Sequence, residues 1–142
     1  MSDLASIHVL VVDDNTHMRA IIVAILRGIG ITRIKEAADG ADALEAMRTV
    51  IPDLVFLDLN MAHIDGLEFT KMIRTAEDSP SPYVPIIMIT GHSDVTKIIA
   101  ARDSGVNELL TKPISAHSLL ERINAVINNP RPFVTTANYT GP

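Results

Sequence analysis

A chain of 142 residues is long enough for one domain with a proper core and too short for two ordinary ones. A hydrophobic content of 47% is that of a globular protein, and the lack of cysteine excludes a disulfide framework and thiolate chemistry. A net charge of −5 disfavours direct nucleic-acid binding, because an acidic chain has little to offer a phosphate backbone.

The start, "MSDLASIH", has no basic run ahead of an apolar stretch and does not read as a signal peptide. The longest apolar runs, such as "AIIVAIL" at 20–26, are too short to insert across a bilayer. With no cysteine, this fits a cytoplasmic protein.

The apolar pattern switches period along the chain. Residues 7–12, "IHVLVV", read as a strand. Met18, Ile21, Ile22, Ile25, Leu26 and Ile29 then recur at spacings of three and four, which is one face of a helix. Asn15 or Asp14 caps it and Gly28 or Gly30 ends it. "TRIKEA", 32–37, is a more polar strand suited to a sheet edge. Residues 39–50 read as a helix with Leu44, Met47 and Val50 or Ile51 inward, broken by Pro52. "DLVFLDL", 53–59, is a buried strand, and a loop leads from it to a helix at about 67–75. The proline- and serine-rich stretch 77–85 is a loop. "IIMIT", 86–90, is a third buried strand. Val95, Ile98, Ile99 and Arg102 mark a helix started by Ser93 or Asp94 and stopped by Gly105. "NELLT", 107–111, is a short strand, and Ser115 caps a last helix carrying Leu119, Leu120, Ile123, Val126 and Ile127 on one face.

Strand and helix alternate five times, which argues an α/β domain: a doubly wound parallel sheet with right-handed crossovers. Near-continuous apolar strands agree, since helices must then cover both faces. Residues 1–128 form this domain. Residues 129–142, with three prolines and no helical period, read as an arm or linker outside the core. A chain stopping mid-linker at Pro142 also fits a trimmed longer protein.

Ligands of doubly wound sheets bind at the carboxyl ends of the strands. There the sequence puts Asp13 and Asp14 after the first strand, Asp58 after the third, Thr90 after the fourth and Lys112 after the fifth. Each alone reads as a cap or a turn residue. Complementary chemistry at the same end of four strands outweighs those separate readings. Three converging carboxylates would repel and raise each other's pKa. A hard divalent cation removes that conflict, and Mg²⁺ prefers oxygen ligands with a phosphate nearby. Lys112 then suits a phosphoryl oxygen and Thr90 a hydrogen bond to it. Asp58 reads as the nucleophile that becomes an aspartyl phosphate, with Asp13 and Asp14 holding metal.

These residues, with "VLVVDDNTHMRAII", "VFLDLNMAHIDGLE", "PIIMITG" and "LLTKP" in register, resemble the receiver domain of two-component response regulators, especially the stand-alone chemotaxis type. The resemblance spans about residues 6–128 and implies the flavodoxin-like strand order 2-1-3-4-5 known for that type. It implies that Asp58 is phosphorylated by a sensor histidine kinase or histidine phosphotransfer protein. It also implies that Asn60 lends its backbone carbonyl to Mg²⁺, that Thr90 is the switch hydroxyl, and that Lys112-Pro113 is a cis peptide. Asp65-Gly66 resembles the tight turn into the third helix, where Gly66 would permit a positive φ.

The output face would be the fourth helix, fifth strand and fifth helix, where a downstream protein or a twin subunit docks. Two residues depart from the pattern: Ala62 stands where proline is frequent, and Leu109 where the switch aromatic usually is. His92 sits where the family tunes dephosphorylation. A phosphohydrolase would need an acid in place of Asn60, and a flavin module a hydroxyl- and glycine-rich loop in place of "DDNTH". The remaining alternative is a receiver-like binding scaffold that takes little or no phosphate.

Overall fold

The computed structural model describes residues 4–61, 64–91, 95–128, 132–136 and 139–142. In chain order the elements are β1 (His8–Val12), α1 (Thr16–Gly28), β2 (Arg33–Ala37), α2 (Gly40–Thr49), β3 (Leu54–Asp58), α3 (Gly66–Thr75), β4 (Ile86–Thr90), α4 (Val95–Ser104), β5 (Glu108–Thr111) and α5 (Ala116–Asn128), followed by the short β6 (Val134–Thr135) and β7 (Thr140–Gly141). β1 to β5 form one sheet in the order β2-β1-β3-β4-β5, and every pairing in it is parallel. The expected flavodoxin-like architecture is therefore present.

Successive strand side chains point to opposite faces, and two cores result. Leu10, Val12, Val55, Leu57, Ile86 and Met88 face Ala43, Met47, Phe69, Ile73 and Ala101, so α2, α3 and α4 cover one face. Val9, Val11, Leu54, Phe56, Ile87 and Ile89 face Ile22, Leu26, Leu119 and Ile123, so α1 and α5 cover the other. β3 and β4 lie inside the sheet and all their residues are buried.

The helix starts follow side-chain capping. Asn15, not Asp14, caps α1 by accepting from the Met18 amide at 3.0 Å. Asp39 and Asp65 cap α2 and α3, each at 2.8 Å, and Ser115 accepts from the Ser118 amide at 3.1 Å ahead of α5. Such caps contribute about 1 kcal/mol each. Gly30 and Gly105 follow α1 and α4 with φ of 106° and 108°, the left-handed conformation that glycine takes at no steric cost.

The structure corrects some expectations. Val50 and Ile51 are exposed, because α2 ends at Thr49 and Val50 is already extended; Ala43 and Met47 make its inward face. On α4 Ile99 is exposed and Ala101 and Ser104 are buried, so its inward face is built of small residues. Ala62, His92, Ser93 and Asp94, named above for a loop, a tuning position and a helix start, lie outside the described residues.

The two edges of the sheet are guarded differently. β2 exposes Arg33, Lys35 and Glu36. At β5, Arg122 of α5 donates to the outward carbonyl of Leu109 at 3.3 Å. The described arm residues pair as an antiparallel β6–β7 hairpin, with Val134 opposite Gly141 and Thr135 opposite Thr140. The hairpin lies near α3, and at the base of the sheet the Cα of Gly105 is within 3 Å of the position a Gly141 Cβ would take.

Candidate functional site

Backbone pairing brings the polar residues together at the carboxyl end of the sheet. The β1–β2 ladder runs one residue past β1, with the Asp13 amide donating to the Ala37 carbonyl at 3.1 Å. Asp13 is then held twice more: Oδ1 accepts from the Asn15 amide at 2.8 Å, and its carbonyl accepts from Arg19 Nη1 at 2.6 Å. Arg19 is itself oriented by Glu36, with Nε 3.0 Å from Oε1. Asp58 closes β3 opposite Ile89. Thr90 closes β4 opposite Thr111, and the Lys112 amide donates to the Thr90 carbonyl at 2.8 Å. Lys112-Pro113 is cis, as the resemblance implied.

The side chains converge. One carboxylate oxygen each from Asp13, Asp14 and Asp58 lies within 4.8 Å of the others. Asp13 and Asp58 are buried and Asp14 is exposed. Lys112 Nζ stands 3.5 Å from Asp58 Oδ1, an ion pair at the outer limit of hydrogen bonding. Thr90 is buried beside this cluster at 1% exposure, and Asn60 is exposed two residues beyond Asp58.

The electrostatics are unresolved by protein groups alone. Asp13 Oδ2 is buried and accepts no hydrogen bond, and Asp58 Oδ1 is buried with the Lys112 ammonium 3.5 Å away. Burial, and then the neighbouring charge of Asp13, push the Asp58 carboxyl up to about 6 against the pull of Lys112. Burial also raises Asp13, opposed by the Asn15 amide and Lys112. A buried acceptor without a donor is costly. Two buried carboxylates clustered with a third that is open to solvent make a hard-oxygen donor set suited to a small divalent cation. A groove of about 790 Å³ lies apart from this cluster, along β2 and α2 among Arg33, Lys35, Asp42 and Glu45.

Gly66 does not use the positive φ that glycine would permit; among the described residues the left-handed glycines are Gly30 and Gly105. Gly66 is needed for space instead. A Cβ there would sit 2.6 Å from the Asp58 carbonyl oxygen and 3.0 Å from Leu59 Cα, while its amide donates to the Leu59 carbonyl at 2.9 Å. The first turn of α3 is thus pressed against the backbone of Asp58. Sequence reading also missed Arg19, because its partner is a backbone carbonyl that leaves no mark in the sequence. The only hint was its place on the first turn of α1, facing the strand end.

Residues 9–124 match the family model of the response regulator receiver domain. The chain is 35% identical over 118 residues to chemotaxis protein CheY-3 of Vibrio cholerae serotype O1, covering 83% of this chain and 89% of that protein. It is 34% identical to chemotaxis protein CheY of Pseudomonas aeruginosa, covering 83% and 94%. Among solved structures, chemotaxis protein CheY4 of Vibrio cholerae superposes with a TM-score of 0.77 at 30% identity, over 85% of this chain and 98% of that one. A putative response regulator from Chloroflexus aurantiacus gives a TM-score of 0.79 at 28% identity, over 87% and 98%.

Proposed function

The chain belongs to the response regulator receiver family, and from that membership we propose that it accepts a phosphoryl group on Asp58 and signals through phosphorylation-dependent contact with another protein. The observation that carries this reading is the buried Asp58 carboxylate at the end of β3, with the Lys112 ammonium 3.5 Å from its Oδ1. A carboxylate so placed is a nucleophile beside a fixed positive charge.

The donor is a phosphohistidine of a sensor histidine kinase or a histidine phosphotransfer protein. An Asp58 carboxylate oxygen attacks phosphorus in line; the O–P bond forms as the P–N bond breaks, and the leaving imidazole takes a proton from solvent. Lys112 offsets the charge on the phosphoryl oxygens. The Thr90 hydroxyl donates to the transferred group. Asp13, Asp14, Asp58 and the backbone carbonyl of Asn60 would hold Mg²⁺, which supplies charge neutralisation for the facing carboxylates and the phosphoryl oxygens. The chain catalyses only this transfer and a slow loss of its own phosphoryl group.

The output is a shift between two pre-existing arrangements of α4 and β5. Its reader, a downstream protein or a second copy, docks on the α4–β5–α5 face, where Leu109 is half-buried. No helix among the described residues is long and apolar enough to cross a membrane. We place the protein in the cytoplasm, without nucleic acid as a direct ligand. The domain spans residues 1–128, with 129–142 as an appended arm.

The test is intact mass after incubation with acetyl phosphate and Mg²⁺, run beside Asp58→Asn. One added phosphoryl group, dependent on Mg²⁺ and absent from the variant, is the expected result. No adduct, repeated with a phosphorylated kinase as donor, would overturn the reading and leave a constitutive binding scaffold.

A further inference from the structure

Arg74, in the last turn of α3, is a buried cation with 3% exposure and no carboxylate partner among the described residues. Its guanidinium is solvated by the protein instead. Nε donates to the Gly105 carbonyl at 2.9 Å, Nη1 to the carbonyls of Pro82 at 3.0 Å and Val84 at 2.7 Å, and Nη2 to Asn107 Oδ1 at 2.9 Å. The ring of Phe133, from the arm, covers it at 4.8 Å and meets Tyr83 edge-on at 5.3 Å. One side chain therefore ties α3, the loop before β4, the α4–β5 turn and the arm.

The arm presses on that same turn. A Cβ at Gly105 would lie 2.7 Å from the Thr140 carbonyl oxygen and 3.1 Å from Arg74 Cγ. Asn107 fastens the turn to β4: its amide donates to the Ile86 carbonyl and its side chain accepts from the Ile86 amide, both at 2.9 Å. So α4 and β5 are anchored at two ends. The upper end is the Thr90–Lys112 pairing at the acidic cluster. The lower end is the Gly105–Asn107 turn under the arm.

We propose that the C-terminal arm is a clasp on the α4–β5 unit, holding it in the arrangement that goes with an unphosphorylated Asp58. This rests on the phosphoacceptor reading above. A shift of α4 and β5 on phosphorylation must be absorbed at the Gly105–Asn107 turn, and the docked arm leaves that turn no room. Linkage then runs both ways: phosphorylation loosens the arm, and loosening the arm favours phosphorylation by the same factor. The partners are the arm and the base of its own domain.

The test uses the full chain and two arm variants. Phe133→Ala removes the ring over Arg74. Gly141→Ala adds a Cβ within 3 Å of the Tyr139 ring and of Gly105 Cα. Adduct mass is followed with acetyl phosphate and Mg²⁺, together with amide exchange at 133–136, 139–141 and Gly105–Asn107. Phosphorylation of the wild type should speed exchange at these segments, and both variants should reach a phosphorylated fraction about 5-fold higher at limiting donor, a typical coupling size. Equal phosphorylation of all three proteins, with arm exchange unchanged by the adduct, would overturn the clasp alone. No adduct on any of them would overturn the phosphoacceptor reading and the clasp with it.

Discussion

Replacing Asp58 with asparagine is expected to make the metal-free protein more stable. The carboxyl is almost fully enclosed, at 5% exposure. Burial and the facing Asp13 push it up to about 6 from an ordinary 3.8. A carboxyl raised in this way binds its proton more tightly folded than unfolded. The folded state is then penalised at pH above 6, and the penalty fades as pH falls from about 6 towards 3.8. At 1.36 kcal/mol per unit, that interval corresponds to about 3 kcal/mol at pH 8. Asparagine keeps the shape, carries no charge and offers the carboxylate cluster a donor. For a domain of this size the gain is roughly 9 °C in Tm. The assay is urea and thermal unfolding of both proteins in EDTA, at about pH 8 and about pH 4. The variant should lead by about 3 kcal/mol at the higher pH and by less than about 1 kcal/mol at the lower one. Mg²⁺ should narrow the gap at pH 8 by stabilising the wild type more. A variant no more stable than wild type at pH 8, or a gap that survives at pH 4, would refute the argument. It would mean that Lys112 already compensates the buried charge.

Lys112→Met removes the cation beside Asp58 while leaving a partly exposed stem. Adduct formation with acetyl phosphate, timed by intact mass, should slow about 100-fold, and the Asp58 titration should move further upward. Gly66→Ala drives a methyl into the Asp58 carbonyl, 2.6 Å away. It should cost about 1–3 kcal/mol in urea unfolding, and an unchanged midpoint would mean that α3 can slide off the β3 end freely. Arg74→Leu takes the guanidinium donors from the carbonyls of Gly105, Pro82 and Val84 and leaves Asn107 Oδ1 with the Ile86 amide alone. A loss of about 3 kcal/mol follows, measured by urea midpoint, and a loss below about 1 kcal/mol would mean that water replaces the guanidinium.

Much of this was legible in the sequence because it depends on strand period and strand ends. "LVFLD" names a buried central strand and the carboxylate that terminates it, and the parallel sheet then brings Asp58 beside Asp13 and Lys112. Caps were partly legible: Ser115 was named outright and Asn15 as one of two candidates, and both act within three residues of themselves, whereas Asp39 was read as part of the helix it caps. What escaped depends on backbone partners or on distance along the chain. Arg74 drew no notice in the sequence, yet it reaches the Gly105 carbonyl 31 positions away. Gly66 was read for its conformational freedom, and its requirement is instead a close approach to the Asp58 carbonyl. Val50 and Ile51 continued a helical apolar pattern and proved to stand in solvent, because the helix had already ended.

The treatment of the two sheet edges has a consequence for crowding. An open strand is a template for a foreign strand, and parallel sheets assemble slowly enough to expose such templates. On β2 the outward residues are charged, so a neighbouring chain laid alongside would have to strip solvent from Arg33, Lys35 and Glu36. On β5 the hydrogen-bonding group that a neighbour would need, the Leu109 carbonyl, is already taken by Arg122. Edge-to-edge growth of fibrils is thereby blocked on one side by solvation and on the other by occupancy. Arg122→Ala is the single change that would reopen a rail for aggregation, visible as thioflavin-positive material at high protein concentration.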